Sequence, residues 1–162
     1  MITWSDYSEM TSFAPSVSHG YAFLDISAYY QTRFQTGSYP AIARDAVVTH
    51  RIQPYSAKPR YAHRLVVWSN GGTGPRNTVE VLTFLKYLAT IKVTIGSTVR
   101  NYTAPTGVYA KLFPLATGKI KAVATRGGAM IGTAASTFTV TNSPYVQDME
   151  YYAVSSLRPN TK

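Results

Sequence analysis

Two prolines five residues apart, Pro54 and Pro59, do most to limit how this chain folds, because no central β-strand accepts either of them. They sit in Pro54-Tyr55-Ser56-Ala57-Lys58-Pro59, between two runs rich in β-branched and aromatic residues, Ala46 to Gln53 and Arg60 to Trp68. The pattern predicts a β-hairpin with its turn at the prolines. If Gln53 faces Arg60, then Ile52 lies opposite Tyr61, His50 opposite His63, Val48 opposite Leu65 and Ala46 opposite Val67, which makes one apolar face. Side chains alternate along a strand, so the other face carries Thr49, Arg51 and Gln53 on one strand and Arg60, Arg64 and Trp68 on the other. Three arginines converge there without a carboxylate.

Charge gives that face a meaning. The 162 residues hold sixteen Lys and Arg against seven Asp and Glu, a net charge of +9 with a pI near 9.8. Between Ala46 and Gln147 the only acid is Glu80. A field of one sign attracts phosphate or an acidic surface. Arg51, Arg60, Arg64 and Lys58 as charge partners, Thr49 and Gln53 as polar donors and Trp68 as a stacking plane form the mixture that single-stranded nucleic acid uses. An acidic protein surface is the competing partner.

The chain length suits one domain with a core of its own. Cysteine is absent, which removes disulfides, thiol catalysis and cysteine-based zinc sites. No apolar run reaches the ~20 residues of a membrane span, and the amino terminus is acidic where a signal peptide is basic, so no membrane partner is expected. Residues 1–19 read as an arm whose aromatic anchors Trp4, Tyr7 and Phe13 need another surface to lie on. Residues 20–162 read as a single β-rich domain.

Within that domain, 20–34 alternates as a strand. Residues 77–89 carry a helical spacing, with Val81, Leu82, Leu85 and Leu88 on one stripe. Strands are predicted from about Thr90 to Tyr102, at Val108 to Leu112, at Lys119 to Thr125 and at Ser136 to Asn142. Glycine and proline turns separate them. The segment after Ser143 fits a helix or a closing strand, with Tyr and Val favouring the strand. The sum is a mainly β fold, one or two antiparallel sheets in a sandwich or jelly-roll-like arrangement with at most two short helices.

Catalytic signatures are sparse. His50 and His63 would face each other in the hairpin, but a third metal ligand is missing, so neither a metal nor a cofactor is expected. Asp148 and Glu150 fall on one side if the tail is extended, yet two carboxylates make an acid–base pair only where a pocket tunes them. Gly71-Gly72-Thr73-Gly74 matches neither a Walker loop nor a dinucleotide fingerprint.

Pro40-Ala41-Ile42-Ala43-Arg44, Gln53-Pro54 at the turn, Tyr61 on the returning strand and Asn70 at its close resemble the central hairpin of the coat proteins of single-stranded RNA phages, over residues 30–70. The resemblance implies an α+β coat fold. The strand count favours instead the jelly roll of other small icosahedral viruses. Either implies a virion structural protein, not an enzyme, many copies of which assemble into a shell around nucleic acid, with localisation in the virion. The alternative is a cytoplasmic, non-viral β-domain binding single-stranded nucleic acid or an acidic protein.

Overall fold

The computed structural model describes residues 4–5, 12–38, 45–61 and 76–158, apart from the side chains of Asp45 and Val47. They form one helix, α1 (Ala22–Thr36), and eight strands: β1 (Asp45–His50), β2 (Thr78–Leu85), β3 (Ala89–Ile95), β4 (Thr98–Ala104), β5 (Gly107–Pro114), β6 (Gly118–Arg126), β7 (Ala129–Val140) and β8 (Tyr152–Ser155). Two four-stranded sheets result, ordered β5-β2-β1-β8 and β4-β3-β6-β7. Every pairing is antiparallel. The fold is mainly β, as the spacing of the turns predicts.

The sheets share one core. Val48, Val79, Val81, Leu85, Phe113 and Val154 from the first meet Ile91, Val93, Ile120, Ala122, Ala124 and Val140 from the second. In β3 and β6 buried and exposed residues alternate, the pattern of a sheet with one wet face. Each large aliphatic side chain withdrawn from water, such as Ile91 or Ile120, contributes roughly 1.5–3 kcal/mol. The turns follow backbone chemistry: Gly127 and Gly128 both have positive φ, 55° and 81°, which a two-residue hairpin loop between β6 and β7 requires.

The first sheet is covered on its far side by α1. Residues 20–34, whose alternation predicts a strand, are helical instead. Ala22, Phe23, Ile26 and Tyr29 recur at helical spacing and pack on Leu82, Phe84 and Ala153, with the Tyr29 and Phe84 rings edge to face at 5.0 Å. Gly37, at φ 72°, closes the helix by donating its N–H to the Arg33 carbonyl at 2.8 Å. Residues 78–85, read as helical from their leucine stripe, are instead strand β2, because Val79, Val81 and Leu85 face the core from a strand paired on both sides. The run from Thr90 to Tyr102 is two strands broken at Gly96. The tail closes as a strand, β8.

The hairpin register is corrected too. Both edges of β1 are occupied, by β2 and by β8, so neither is left for a strand returning from Arg60. Arg60 and Tyr61 donate their backbone N–H groups to the carbonyls of Pro144 and Tyr145, each at 3.0 Å, and do not lie opposite Gln53 and Ile52. The proposed partners His63, Arg64, Leu65, Val67 and Trp68 lie outside the described residues.

Candidate active site

Arg51 and Gln53 follow β1, where the tail of the chain covers them. The chain leaves β1 beneath the segment 144–151. Arg51 is 1 % exposed; its guanidinium donates to the Asp148 carbonyl at 3.2 Å, contacts the Met149 sulfur at 3.0 Å and lies over the Tyr151 ring. Gln53, 2 % exposed, donates to the Val146 carbonyl at 3.2 Å. Thr49 is half-buried in β1, whereas Lys58 and Arg60 are exposed on the proline loop. Of the predicted nucleic-acid residues, Arg51 and Gln53 are thus buried, and Arg64 and Trp68 lie outside the described residues. The two buried ones are struts that hold the tail.

The predicted arm is partly in view. Trp4 is exposed, and its carbonyl accepts the N–H groups of Phe13 and Ala14, while Phe13 is half-buried; Tyr7 lies outside the described residues. Ser18, further along, accepts the Ala153 N–H through its carbonyl at 3.1 Å, which fixes 12–20 against β8.

That docking makes a cleft. Ser16, Val17 and Ser18 form one wall and Phe138, Glu150 and Tyr152 the other, around a cavity of about 270 Å³. Glu150 enters it from the tail, and its carboxylate accepts a hydrogen bond from the Ser18 hydroxyl at 2.5 Å. Ser18 is held in turn by the Ser16 hydroxyl at 2.8 Å. Asp148 is committed on both oxygens: Oδ1 accepts the Glu150 N–H at 2.8 Å and Oδ2 accepts the Tyr152 hydroxyl at 2.6 Å. Burial first, then that bond and the negative charges of Asp148 and Glu150, raise Tyr152 above its ordinary pKa and keep it a phenol. The Tyr152 ring packs at a tilt against Phe138, centroids 4.5 Å apart, and stacks on His50 at 6.3 Å.

Two histidines lie behind the walls. His19 is buried against the Phe23 ring and within reach of the Ser12 hydroxyl; burial lowers its pKa, against the pull of a backbone contact with Gly20 and the charge of Glu150. His50, wholly buried, has both ring nitrogens occupied, Nδ1 by the Arg51 carbonyl at 3.1 Å and Nε2 by Ser136 Oγ at 2.8 Å. Neither nitrogen is free for a metal. No group of three or more metal-ligating side chains occurs among the described residues.

Among the carboxylates with described side chains, Asp25 is paired with Arg158 and Glu80 lies on β2, whereas Asp148 and Glu150 are neighbours and Glu150 lines the cleft. The family model of glycosyl hydrolase family 71 matches residues 1–161. The chain belongs to that family. No curated protein and no solved structure matches it.

Membership of a glycosidase family overturns several expectations at once. The resemblance to viral coat proteins over 30–70 rests on common strand and turn residues, which any β-hairpin needs, and β1 pairs with β2 and β8. The expectation of no enzyme, the shell-forming and nucleic-acid-binding function and the virion localisation fall with it, and nothing supports the cytoplasmic alternative either. The residues that sequence reasoning missed are Ser16, Ser18, His19 and Tyr152. The signal available was the alternation of Asp148, Glu150 and Tyr152, three polar groups two residues apart, but the pocket that gives them a use is built from residues more than a hundred positions earlier.

Proposed function

We propose that this family 71 chain hydrolyses glycosidic bonds in the cleft between residues 16–18 and Glu150. The observation that carries the reading is Glu150, a carboxylate on the wall of a cleft with a second carboxylate, Asp148, two residues away. Glycosidases use two carboxyl groups, one of which protonates the departing oxygen as positive charge develops on the sugar. Glu150 takes that role: it faces the cleft, and Ser18 fixes its orientation. Asp148 supplies the second negative charge and, through Tyr152, holds an aromatic wall against which a sugar ring can pack. Glu150 acts in its protonated form: the leaving oxygen takes its proton as the glycosidic bond breaks, a water oxygen bonds the anomeric carbon, and the proton that this water sheds passes to solvent, from which Glu150 is protonated again.

The test is release of reducing ends from a panel of polysaccharides and aryl glycosides by the wild-type chain and by Glu150→Gln. The substitution keeps shape and hydrogen bonding to Ser18 but removes the proton donor, and a general acid supplies on the order of 10²–10⁴-fold in rate. A loss of that size with an unchanged melting temperature supports the assignment. Equal rates for the two proteins, or no hydrolysis across the panel, would sink it.

A further inference from the structure

Two tyrosines that stand in water touch each other. Tyr61, at the end of the proline loop, and Tyr145, at the start of the tail segment, are 55 % and 62 % exposed, yet their rings meet at 4.7 Å with planes 51° apart. The side chains are hydrogen-bonded as well, and that bond, ahead of desolvation, raises Tyr145 above the ordinary pKa of a phenol. The backbone fixes the pair. Arg60 and Tyr61 donate their N–H groups to the carbonyls of Pro144 and Tyr145, each at 3.0 Å, and the Gln53 side chain donates to the next carbonyl, that of Val146, at 3.2 Å. Pro54, Pro59 and Pro144 restrict φ on both sides of the contact.

Rings held side by side in water leave apolar area uncovered while their phenol groups stay solvated, and an apolar body with a wet tip suits a ligand that has both. A pyranose is such a ligand, with C–H groups on its face and hydroxyls round its rim. We infer that the Tyr61–Tyr145 pair is a sugar-stacking site outside the cleft, and that it holds an uncharged polysaccharide whose chain continues to Glu150. The pair carries no charge of its own and is in place before binding, so little ordering is lost when a sugar ring lies on it. The reach fits as well. Tyr145 and Glu150 are five residues apart on one segment, so their Cα atoms are separated by no more than about 18 Å, and one extended polymer can touch both. The inference rests on the glycosidase reading for the word sugar and on the pair itself for the place. Nucleobases stack on such rings too; membership of a glycosidase family favours the sugar, and an oligonucleotide becomes an arm of the test.

The experiment is affinity electrophoresis of the full chain in native gels containing dextran, soluble starch or hydroxyethylcellulose, with an oligodeoxynucleotide titrated separately by fluorescence anisotropy. It compares the wild type with Tyr61→Ala/Tyr145→Ala, Tyr145→Phe, Glu150→Gln and Phe34→Ala, the last removing an exposed ring on α1. At least one neutral polymer should retard the wild type, with a dissociation constant that rises about tenfold in the double tyrosine variant. Tyr145→Phe keeps the ring and should bind nearly as well, and Phe34→Ala and Glu150→Gln should match the wild type. A chain of net charge +9 attracts the oligonucleotide by charge alone, so its affinity should be the same in the wild type and the double variant. Wild type retarded by none of the three polymers, double variant and wild type retarded equally, or a larger loss for the oligonucleotide than for the neutral polymers would each overturn the inference. Because binding is read without turnover, a missing tyrosine effect condemns this site. Absence of hydrolysis with the tyrosine effect intact condemns only the assignment of Glu150.

Discussion

The imidazole of His50, on the inner strand β1, lies 2.8 Å from the hydroxyl of Ser136 on the edge strand β7, and this bond joins the two sheets through their shared interior. The Arg51 carbonyl beside Nδ1 can only accept, so Nδ1 carries the proton and Nε2 accepts from Ser136. The arrangement requires a neutral ring.

Stability should therefore fall in acid. Burial lowers the His50 pKa below its ordinary 6.5, more than the backbone bond to Arg51 raises it, and His19 is shifted in the same direction. A lowered pKa means that the unfolded chain binds the proton more readily. The stabilisation is complete above the unfolded value near 6.5 and is lost as pH falls from there through the folded value. Melting temperature measured from pH 8 to pH 5 should decline below about 6.5, and His50→Gln should flatten the decline to what His19 contributes. A melting temperature independent of pH across that interval refutes the buried neutral state.

Arg51 ties β1 to the carboxylate segment. Arg51→Ala leaves a cavity under 148–151 and frees the Asp148 carbonyl, a loss of about 2 to 4 kcal/mol. Arg51→Met, which restores most of the volume without the donor, should recover a good part of it by urea denaturation. If the alanine variant costs less than the methionine variant, packing is not what Arg51 supplies.

Gly96 and Gly118 pass so closely that neither tolerates a side chain. A Cβ on Gly96 would fall on the Thr117 carbonyl oxygen, and one on Gly118 would stand 2.6 Å from the Gly96 Cα. Both residues also have positive φ. Gly37 has a comparable φ of 72° but open space around it. Gly37→Ala should cost only the backbone strain, about 1 to 2 kcal/mol, and Gly96→Ala clearly more, because backbone has to move. Equal losses in thermal denaturation would contradict the close contact.

Where local chemistry decides an element, the sequence showed it. Gly118 and Gly127 bracket a run in which Ile120, Ala122 and Ala124 alternate with Lys119 and Lys121, and β6 is that strand with that face buried. Where tertiary contacts decide, it did not. Ala22 to Thr36 satisfies a period of two as easily as one of 3.6, and what selects the helix is the apolar patch of Leu82, Phe84 and Ala153 on a sheet formed much later in the chain. Alternation along a hairpin makes Arg51 a surface charge, whereas β1 is enclosed by β2 and β8 and the chain beyond it is roofed by the tail. The cleft was illegible for the same reason: Asp148 and Glu150 were visible as a pair, but their opposite wall, Ser16 to Ser18, comes from the other end of the sequence.

Alkaline titration gives a final check on the cleft. Burial, assisted by the neighbouring Tyr109, pushes Tyr102 up to about 12, and Tyr152 is raised by burial and by its bond to Asp148. For an acid whose folded pKa is raised, the folded chain keeps a proton that the unfolded chain releases near its ordinary value of about 10. The stabilisation is thus full below that value and disappears as pH rises through the folded one. Absorbance at 295 nm should show the exposed tyrosines ionising first and these two last, together with loss of the native circular dichroism. Asp148→Asn removes the charge that helps hold the Tyr152 proton, so one of the two late steps should move to lower pH; Tyr102→Phe should delete the other and leave the Tyr152 step in place. If Asp148→Asn leaves both late steps unmoved, Tyr152 is held by burial alone, and the carboxylate has no part in shaping the wall of the cleft.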